Sequence, residues 1–228
     1  MSKQISIRCT DDFAMGCYRA EPVDAASGAI VVIQEIFGVN THIREVADGY
    51  AASGYSVYAP KLFDRIRPDI ELGYSESDMA QGIDLAFNKL DLAQVINDVQ
   101  ATVDRIIADG EQKIGLVGFC FGGLVSWLSA AQVSGPSAVI GYYGGGIAGQ
   151  LDQSPRCAAM LHFGELDAHI PLSDVDKIKQ ANPELPVHVY AADHGFNCDH
   201  RGSYDANAAE LARSRSLEFF ARQLRDAA

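Results

Sequence analysis

The chain has 228 residues, of which 48% are hydrophobic and 21% charged, a composition typical of a globular protein rather than a disordered one. Its 18 lysine and arginine residues against 30 aspartate and glutamate residues give a formal net charge of −12. This excess of negative charge disfavours nucleic acid and anionic membranes as partners, because no basic stripe is present to displace counterions from phosphates. We expect one domain over residues 1–228, since this length supports a single large core and no linker interrupts it.

The sequence also indicates a cellular compartment. Its start, Met1–Ile5, lacks the apolar stretch of a signal peptide, and no run of about 18 apolar residues predicts a membrane span. Five cysteines make an odd, widely spaced set without a CxxC pair: Cys9, Cys17, Cys120, Cys157 and Cys198. We therefore expect reduced thiols, a cytoplasmic location and no disulfide framework.

Strand and helix patterns alternate along the chain. Two β-rich segments at 5–9 and 15–20 precede a continuous β-branched run at Ala29–Ile33, and Thr41 is placed to cap a helix that stops at Gly54. Further strands are predicted at 55–59, 113–118, 138–142, 157–163 and 187–191, and further helices at 77–88, 92–108, 121–131, 173–180 and 206–224. The alternation predicts an α/β fold, with a mostly parallel sheet flanked by helices on both faces. The strands' C-terminal ends then share one edge, where sites form.

The most informative stretch is Gly118–Gly122, which joins a predicted strand to a predicted helix. Its sequence, Gly-Phe-Cys-Phe-Gly, matches the nucleophile elbow of the α/β-hydrolase fold with Cys120 in the place of serine. The flanking glycines are expected because a β-carbon at either position would strike a neighbouring strand or helix. A thiol at a helix N-terminus is also favoured as thiolate. The alternative is a glycine-rich turn around a buried structural cysteine.

A base and an orienting acid follow in the chain order of this fold. Asp167 lies in the loop at the C-terminal end of one predicted strand, and His194 lies just past another, so both are expected at the same sheet edge as Cys120. Asp193 and Asp199 flank the histidine and could compete with Asp167, but neither has a strand end of its own. The other histidines are assigned to strand interiors or to loop and cap positions without a matching carboxylate: His162, His188, His42 and His169.

The loop after the first buried strand carries a second acidic candidate. Glu35 ends an apolar run, where a carboxylate is unusual unless it works or is paired. The same loop should supply one backbone N–H to an oxyanion hole, and the residue after the nucleophile should supply the other. We therefore expect the N–H groups of Ile36 and Phe121 to form that hole.

No metal or cofactor is expected. His194, Cys198 and His200 are near one another in sequence, but they lack an obvious fourth ligand. The glycines around the elbow do not form a GxGxxG pattern, which argues against a dinucleotide-dependent oxidoreductase.

Taken together, the motifs resemble the dienelactone hydrolase family, whose members are carboxymethylenebutenolidase-like enzymes of the α/β-hydrolase fold. The resemblance extends over nearly the whole chain and rests on Gln34–Asn40, Tyr58–Pro60 with Leu62–Phe63, Gly115–Gly123, Gly141–Gly144, Gly164–Asp167 and His194–Phe196. The combination of the cysteine elbow with the Gln-Glu-Ile-Phe-Gly loop is the most specific part.

The resemblance implies a catalytic triad of Cys120, His194 and Asp167, with Glu35 helping to take the thiol proton when substrate binds. The implied reaction is hydrolysis of an ester or lactone through an acyl-thioester enzyme, with conversion of dienelactone to maleylacetate as the family reaction. Phe37 is expected to contact the substrate. Tyr143 is a second expected substrate contact.

One departure concerns the substrate. The family holds a substrate carboxylate with arginines, and Cys198 stands where one of them is expected after the histidine. The family's other carboxylate-binding arginine has no clear equivalent in this chain, and Arg65, Arg67 and Arg201 are the candidates for it. A carboxylesterase or thioesterase of other preference, and a non-catalytic binding protein of the same fold, therefore remain as alternatives. For assembly we expect a monomer or a weak homodimer.

Overall fold

The computed structural model describes residues 2–224, which form an eight-stranded sheet between two helical layers. In chain order the strands and α-helices are β1 (Ser2–Arg8), β2 (Ala14–Ala20), β3 (Ala29–Ile33), α1 (Thr41–Ala52), β4 (Ser56–Pro60), α2 (Glu76–Ile83), α3 (Leu92–Ala108), β5 (Ile114–Phe119), α4 (Phe121–Gln132), β6 (Ala138–Tyr142), β7 (Ala158–Gly164), α5 (Leu172–Ala181), β8 (Val187–Tyr190) and α6 (Ala206–Gln223). Short 3₁₀ turns lie at Leu62–Arg65 and Ile147–Gly149, and a π-helical segment at Asp84–Lys89 follows α2.

The sheet has the strand order β1-β2-β4-β3-β5-β6-β7-β8. The β1–β2 and β2–β4 pairs are antiparallel, and the remaining pairs from β4 to β8 are parallel. Every residue of β3, β5 and β6 is buried, as expected for central parallel strands that are covered on both faces. The predicted α/β class with a mostly parallel sheet is thereby confirmed.

Two glycines of β5 show how closely the helical layers approach the sheet. Gly115 and Gly118 are three residues apart and therefore point to opposite faces. A β-carbon at Gly115 would enter the ring of Phe220 in α6, whereas one at Gly118 would overlap the carbonyl oxygen of Gly122 in α4. The α1 helix lies beside α6, because the Tyr50 and Phe220 rings are 6.1 Å apart. The sheet is thus covered on both faces.

Two helix starts differ from the sequence prediction. Asn40, not Thr41, caps α1, because its side-chain oxygen accepts the N–H of Ile43 and leaves Thr41 as the first helical residue. The helix predicted at 77–88 begins at Glu76 with a capping box and changes at Asp84 into the wider π-helical form. This segment lies over one edge of the sheet, where it takes part in the site.

That edge is formed by the C-terminal ends of the parallel strands. Glu35 follows β3, Cys120 follows β5, Asp167 follows β7 and His194 follows β8. Four residues that are separated by up to 159 positions in the chain are therefore gathered along one side of the sheet, as the topology of open parallel sheets requires.

Candidate active site

Cys120 occupies the sharp turn between β5 and α4. Its φ angle of 54° lies in the left-handed region that non-glycine residues rarely adopt, and such a backbone costs about 1–3 kcal/mol. The bend is held by two hydrogen bonds. The Cys120 N–H donates to the carbonyl of Tyr142 at 3.0 Å, and the Gly123 N–H donates to the carbonyl of Cys120 at 2.9 Å. The strained backbone holds the partly exposed thiol at the mouth of a cavity.

The glycines beside Cys120 leave no space for a side chain. A β-carbon at Gly118 would overlap the Gly122 carbonyl, and one at Gly122 would overlap the carbonyl oxygens of Ile33 and Gln34. The steric reason given for the Gly-x-Cys-x-Gly pattern is confirmed, because both positions are closed by backbone atoms that cannot move aside.

Asp167 and His194 form a tightly coupled pair. The Asp167 Oδ2 atom is 2.7 Å from Nδ1 of His194, and its side chain is completely buried. Its other oxygen accepts the backbone N–H groups of His169 at 2.8 Å and Ile170 at 3.2 Å. The carboxylate is thus fixed on three sides, and it sets the orientation of the imidazole ring.

The protonation of His194 depends on both of its neighbours. Burial alone would lower its pKa, but hydrogen bonds and charge interactions with Asp167 and Cys120 outweigh burial and raise the pKa to about 10. The histidine is therefore protonated at neutral pH when its partner is a thiolate. The arrangement is that of a cysteine and a histidine supported by a buried carboxylate.

Glu35 is placed differently from the triad acid. Its side chain is fully buried, and among residues 2–224 neither carboxylate oxygen has a hydrogen-bond partner. The nearest cation is Arg201, whose Nη1 atom is 3.9 Å from Glu35 Oε1. Burial together with the Glu35 charge raises the pKa of the neighbouring Cys198 thiol to about 11, so Cys198 stays protonated and unreactive.

A cavity of about 370 Å³ lies in front of the thiol. Cys120, His194 and Arg201 are among its lining residues, and its apolar walls are formed mainly by Ile36, Phe37, Met79, Ile83, Phe87, Phe121 and Leu124. Ile36 and Phe121, the two predicted oxyanion-hole residues, thus both border the space where a carbonyl would react. Phe121 is the first residue of α4, so its N–H has no acceptor within the helix.

The family pattern has an arginine at the position of Cys198. In this chain Arg201 places a positive charge in the cavity instead. Its guanidinium reaches the cavity from three residues farther along the chain. Gly195 makes this possible, because its φ of 78° turns the loop and a β-carbon there would overlap the Arg201 guanidinium. Arg65, another candidate from the sequence, is engaged elsewhere by a 2.5 Å ion pair with the buried Asp98.

The two expected substrate contacts have different positions. Phe37 lines the cavity. Tyr143 is fully buried and lies outside the cavity lining, with its ring 5.1 Å from that of His194. A contact between Tyr143 and substrate stays a prediction, and its position here is that of a support behind the histidine.

The site also contains residues that the sequence reasoning did not select. His169 lines the cavity, and its ring lies edge-on to His194 at 5.4 Å. Met79 and Ile83 of α2 and Phe87 of the π-helical segment form the outer wall. The spacing of four residues between these three apolar side chains is a usable signal, because Ile83 and Phe87 stay about half exposed, at 45% and 55%.

His162 and Asp193, two further polar candidates from the sequence, are hydrogen-bonded away from the thiol. His162 is buried between Tyr190 at 2.8 Å and Ser216 at 3.1 Å, in agreement with its assignment to the core. Asp193 accepts the backbone N–H of His194 at 2.6 Å and so stabilises the loop rather than the imidazole ring.

Over residues 2–224, the structure has no helix that is both long and apolar enough to cross a bilayer.

Comparisons with known proteins agree with the resemblance seen in the motifs. A profile of the "Dienelactone hydrolase family" matches residues 15–224. A "Putative carboxymethylenebutenolidase" of Synechocystis sp. is 34% identical, with 91% of this chain and 92% of the relative covered, and a "Carboxymethylenebutenolidase" of Pseudomonas putida is 33% identical, with 97% of each covered. The crystal structure of a "Putative Dienelactone Hydrolase" from Klebsiella pneumoniae superposes with a TM-score of 0.84 at 28% identity, covering 97% of this chain and 98% of that one. The chain therefore belongs to the dienelactone hydrolase family and is a hydrolase of the α/β-hydrolase fold.

Proposed function

We propose that this protein hydrolyses small esters or lactones with Cys120 as the nucleophile and an acyl-thioester enzyme as the intermediate. The observation that carries the proposal is the His194 imidazole, which is coupled to the buried Asp167 on one side and to the Cys120 thiol on the other. Cys120 lies at the strained turn between β5 and α4, and both Cys120 and His194 line the cavity, as a nucleophile–base–acid arrangement requires.

In the first step the Cys120 thiolate attacks the substrate carbonyl and forms a tetrahedral oxyanion. The N–H groups of Ile36 and Phe121 donate hydrogen bonds to this oxyanion, and the loss of one such donor typically costs about 3–4 kcal/mol of transition-state stabilisation. When the intermediate collapses, the carbon–oxygen bond of the ester breaks and the His194 imidazolium gives its proton to the leaving oxygen. In a lactone that oxygen remains attached to the acyl group.

The second step follows from the electrostatics of His194. The hydrogen bond and the charge interaction with the Cys120 sulfur are two of the causes that raise the pKa of His194. Acylation converts that sulfur into a neutral thioester, so the pKa of His194 falls and its proton is released more easily. The neutral imidazole then takes a proton from a water molecule as the water oxygen bonds to the thioester carbonyl carbon. The carbon–sulfur bond breaks next, which releases the carboxylic acid and restores the Cys120 thiolate beside the His194 imidazolium.

Glu35 is proposed as a second acceptor for the thiol proton, as the family resemblance implies. Its support is a buried carboxylate without hydrogen bonds that depends on the Arg201 cation 3.9 Å away. A substrate anion that binds Arg201 competes with Glu35 for this cation and frees the Glu35 carboxylate to accept the thiol proton. Proton removal from Cys120 is in this way linked to the arrival of substrate.

The substrate class is suggested by the lining of the cavity. A volume of about 370 Å³ suits a compact ligand, and the walls are mostly apolar. Arg201 provides a local cation in a protein whose formal net charge is −12. We therefore favour an ester or lactone that carries a carboxylate, with dienelactone and its product maleylacetate as the reference pair.

We further propose that residues 1–228 act as one domain in the cytoplasm, as a monomer or weak homodimer. All five cysteines are free within the structure, which suits a reducing compartment.

Activity measurements on two cysteine variants test the proposal. Cys120→Ala is expected to abolish hydrolysis of p-nitrophenyl acetate and of dienelactone without loss of folded structure by circular dichroism. Cys157→Ala is the matched control, since Cys157 is also a partly exposed free cysteine but lies outside the catalytic cavity. Full activity in Cys120→Ala would remove this thiol from the mechanism. The ranking of carboxylate and neutral substrates by kcat/KM then decides the substrate class.

A further inference from the structure

A second cluster of ionisable side chains lies where the start of α1 meets the loop after β8. It consists of His42 and Glu45 from α1 and of Asp199 and His200 from the loop. One donor atom from each residue lies within 4.8 Å of the donor atoms of the other three. His42 and Glu45 are three residues apart on the helix and therefore share a face.

His42 is the unusual member of this cluster. Its exposure is only 3%, and among residues 2–224 neither of its ring nitrogens has a hydrogen-bond partner. The Nδ1 atom faces Asp199 Oδ1 at 3.3 Å, close enough for an ion pair but without the geometry of a hydrogen bond. A buried imidazole without a partner is costly, so its orientation toward a carboxylate calls for a ligand.

Glu45 and His200, the remaining two members, are exposed and lie close to the same point. Nε2 of His200 is 2.6 Å from Glu45 Oε2 and 3.8 Å from Asp199 Oδ1. In a tetrahedral zinc site, bonds of 2.0–2.2 Å place neighbouring donor atoms about 3.4 Å apart. The measured separations of 2.6, 3.3 and 3.8 Å lie on both sides of this value. Small shifts of partly exposed side chains would therefore complete the coordination.

We propose that His42, Glu45, Asp199 and His200 bind one divalent transition-metal ion of the Zn²⁺ class. Two imidazole nitrogens and two carboxylate oxygens suit such an ion better than Mg²⁺ or Ca²⁺, which prefer oxygen ligands alone. The two carboxylates also offset the charge of the ion. The proposal departs from the sequence expectation of no metal, because the four ligands come from segments that are more than 150 residues apart.

None of the four ligands lines the catalytic cavity, although a ring nitrogen of His42 lies within 4.8 Å of the Glu35 carboxylate. The expected effect of a bound ion is structural. Asp199 and His200 directly precede Arg201, so a bound ion would fix the loop that carries this arginine into the cavity. Metal binding should therefore raise the Tm of the protein, because an ion that binds only the folded state stabilises it.

Cobalt provides a direct spectroscopic test on the full-length protein after treatment with a chelator. We expect Co²⁺ to bind with one-to-one stoichiometry, with visible absorption bands of a four-coordinate site, and Zn²⁺ to displace it in calorimetric titrations. His200→Gln and Glu45→Gln each remove one partly or fully exposed ligand and should weaken binding by at least about tenfold. Glu218→Gln, at an exposed position of α6 outside the cluster, is the matched control and should bind as the wild type does.

Two results would overturn the proposal. One is an affinity for Co²⁺ and Zn²⁺ that His200→Gln and Glu45→Gln leave unchanged. The other is an intense sulfur-to-cobalt charge-transfer band, which would place the ion on a cysteine instead. The His42→Gln variant removes the buried ligand and should also weaken binding. Circular dichroism checks whether this variant folds. The His200→Gln and Glu45→Gln variants decide the question even if His42→Gln does not fold.

Discussion

Asp167 and Glu35 are both buried carboxylates at the same edge of the sheet, but their surroundings are opposite. Asp167 accepts hydrogen bonds from two backbone N–H groups and lies 2.7 Å from the His194 ring. Glu35 has no hydrogen-bond partner within residues 2–224 and only a distant arginine as counter-charge. A carboxylate that is fixed by hydrogen bonds can orient a neighbour, whereas a buried carboxylate without hydrogen bonds is costly to the fold and is expected where it serves the reaction.

Replacing Asp167 should give the largest effect. Asp167→Asn keeps the shape but removes the charge that orients and stabilises the His194 imidazolium, and we expect kcat to fall by about 10⁴-fold. The Tm should fall as well, since a well-paired buried charge is lost. Asp193→Asn is the control, because Asp193 hydrogen-bonds the backbone of the same histidine. Equal losses in the two variants would contradict the assigned role of Asp167.

Glu35→Gln should reduce activity less and affect stability in the other direction. We expect a fall of about 10²-fold in the acylation rate, as for the loss of one proton acceptor. The Tm should rise, because a buried carboxylate without hydrogen bonds is replaced by a neutral amide. Stopped-flow acylation and thermal unfolding measure the two effects. A fall in Tm as large as that of Asp167→Asn would remove the distinction between the two acids.

Replacing Arg201 tests whether this cation, the counter-charge of Glu35, also binds the substrate carboxylate. Arg201→Gln should lower kcat/KM for carboxylate-bearing substrates by about 10- to 100-fold, the value of one hydrogen bond to a charged group. Hydrolysis of neutral esters should change much less. Arg67→Gln provides the control, since Arg67 is exposed and does not line the cavity. A uniform loss on charged and neutral substrates would argue against substrate binding by Arg201.

The last prediction concerns pH. The pKa of His194 is raised from its ordinary 6.5 to about 10, against burial, by Asp167 and Cys120. The folded protein therefore holds this proton more tightly than the unfolded chain, and the resulting stability is complete below pH 6.5 and lost as the pH rises toward 10. The difference in free energy of unfolding between wild type and His194→Gln should decrease over this interval. A difference that is constant with pH would contradict the raised pKa.

The positions of Cys120, Asp167 and His194 follow from local patterns. Each residue lies within four positions of the end of a strand whose apolar run is visible in the sequence, and parallel strands place their ends on one edge. The requirement for glycine at 118 and 122 is equally local, because it depends on a strand, a turn and a helix that are adjacent in the chain.

Other parts of the site depend on contacts that the sequence pattern does not contain. Arg201 reaches the cavity because Gly195 reverses the loop with a positive φ, and no spacing rule predicts that geometry. His42 and His200 are brought together by the packing of α1 against the loop after β8. A π-helical segment follows α2 and places Phe87 at the cavity. Helical periodicity in the sequence does not reveal this change of helix type.

The central claim is that the sulfur of Cys120 carries the acyl group during turnover. Rapid quenching of the reaction with p-nitrophenyl acetate, followed by mass spectrometry of the protein and its peptides, tests it most directly. We expect an acetyl group on the peptide that contains Cys120, present in Cys157→Ala and absent in Cys120→Ala. Acetylation at another residue, or full turnover in Cys120→Ala, would contradict the mechanism.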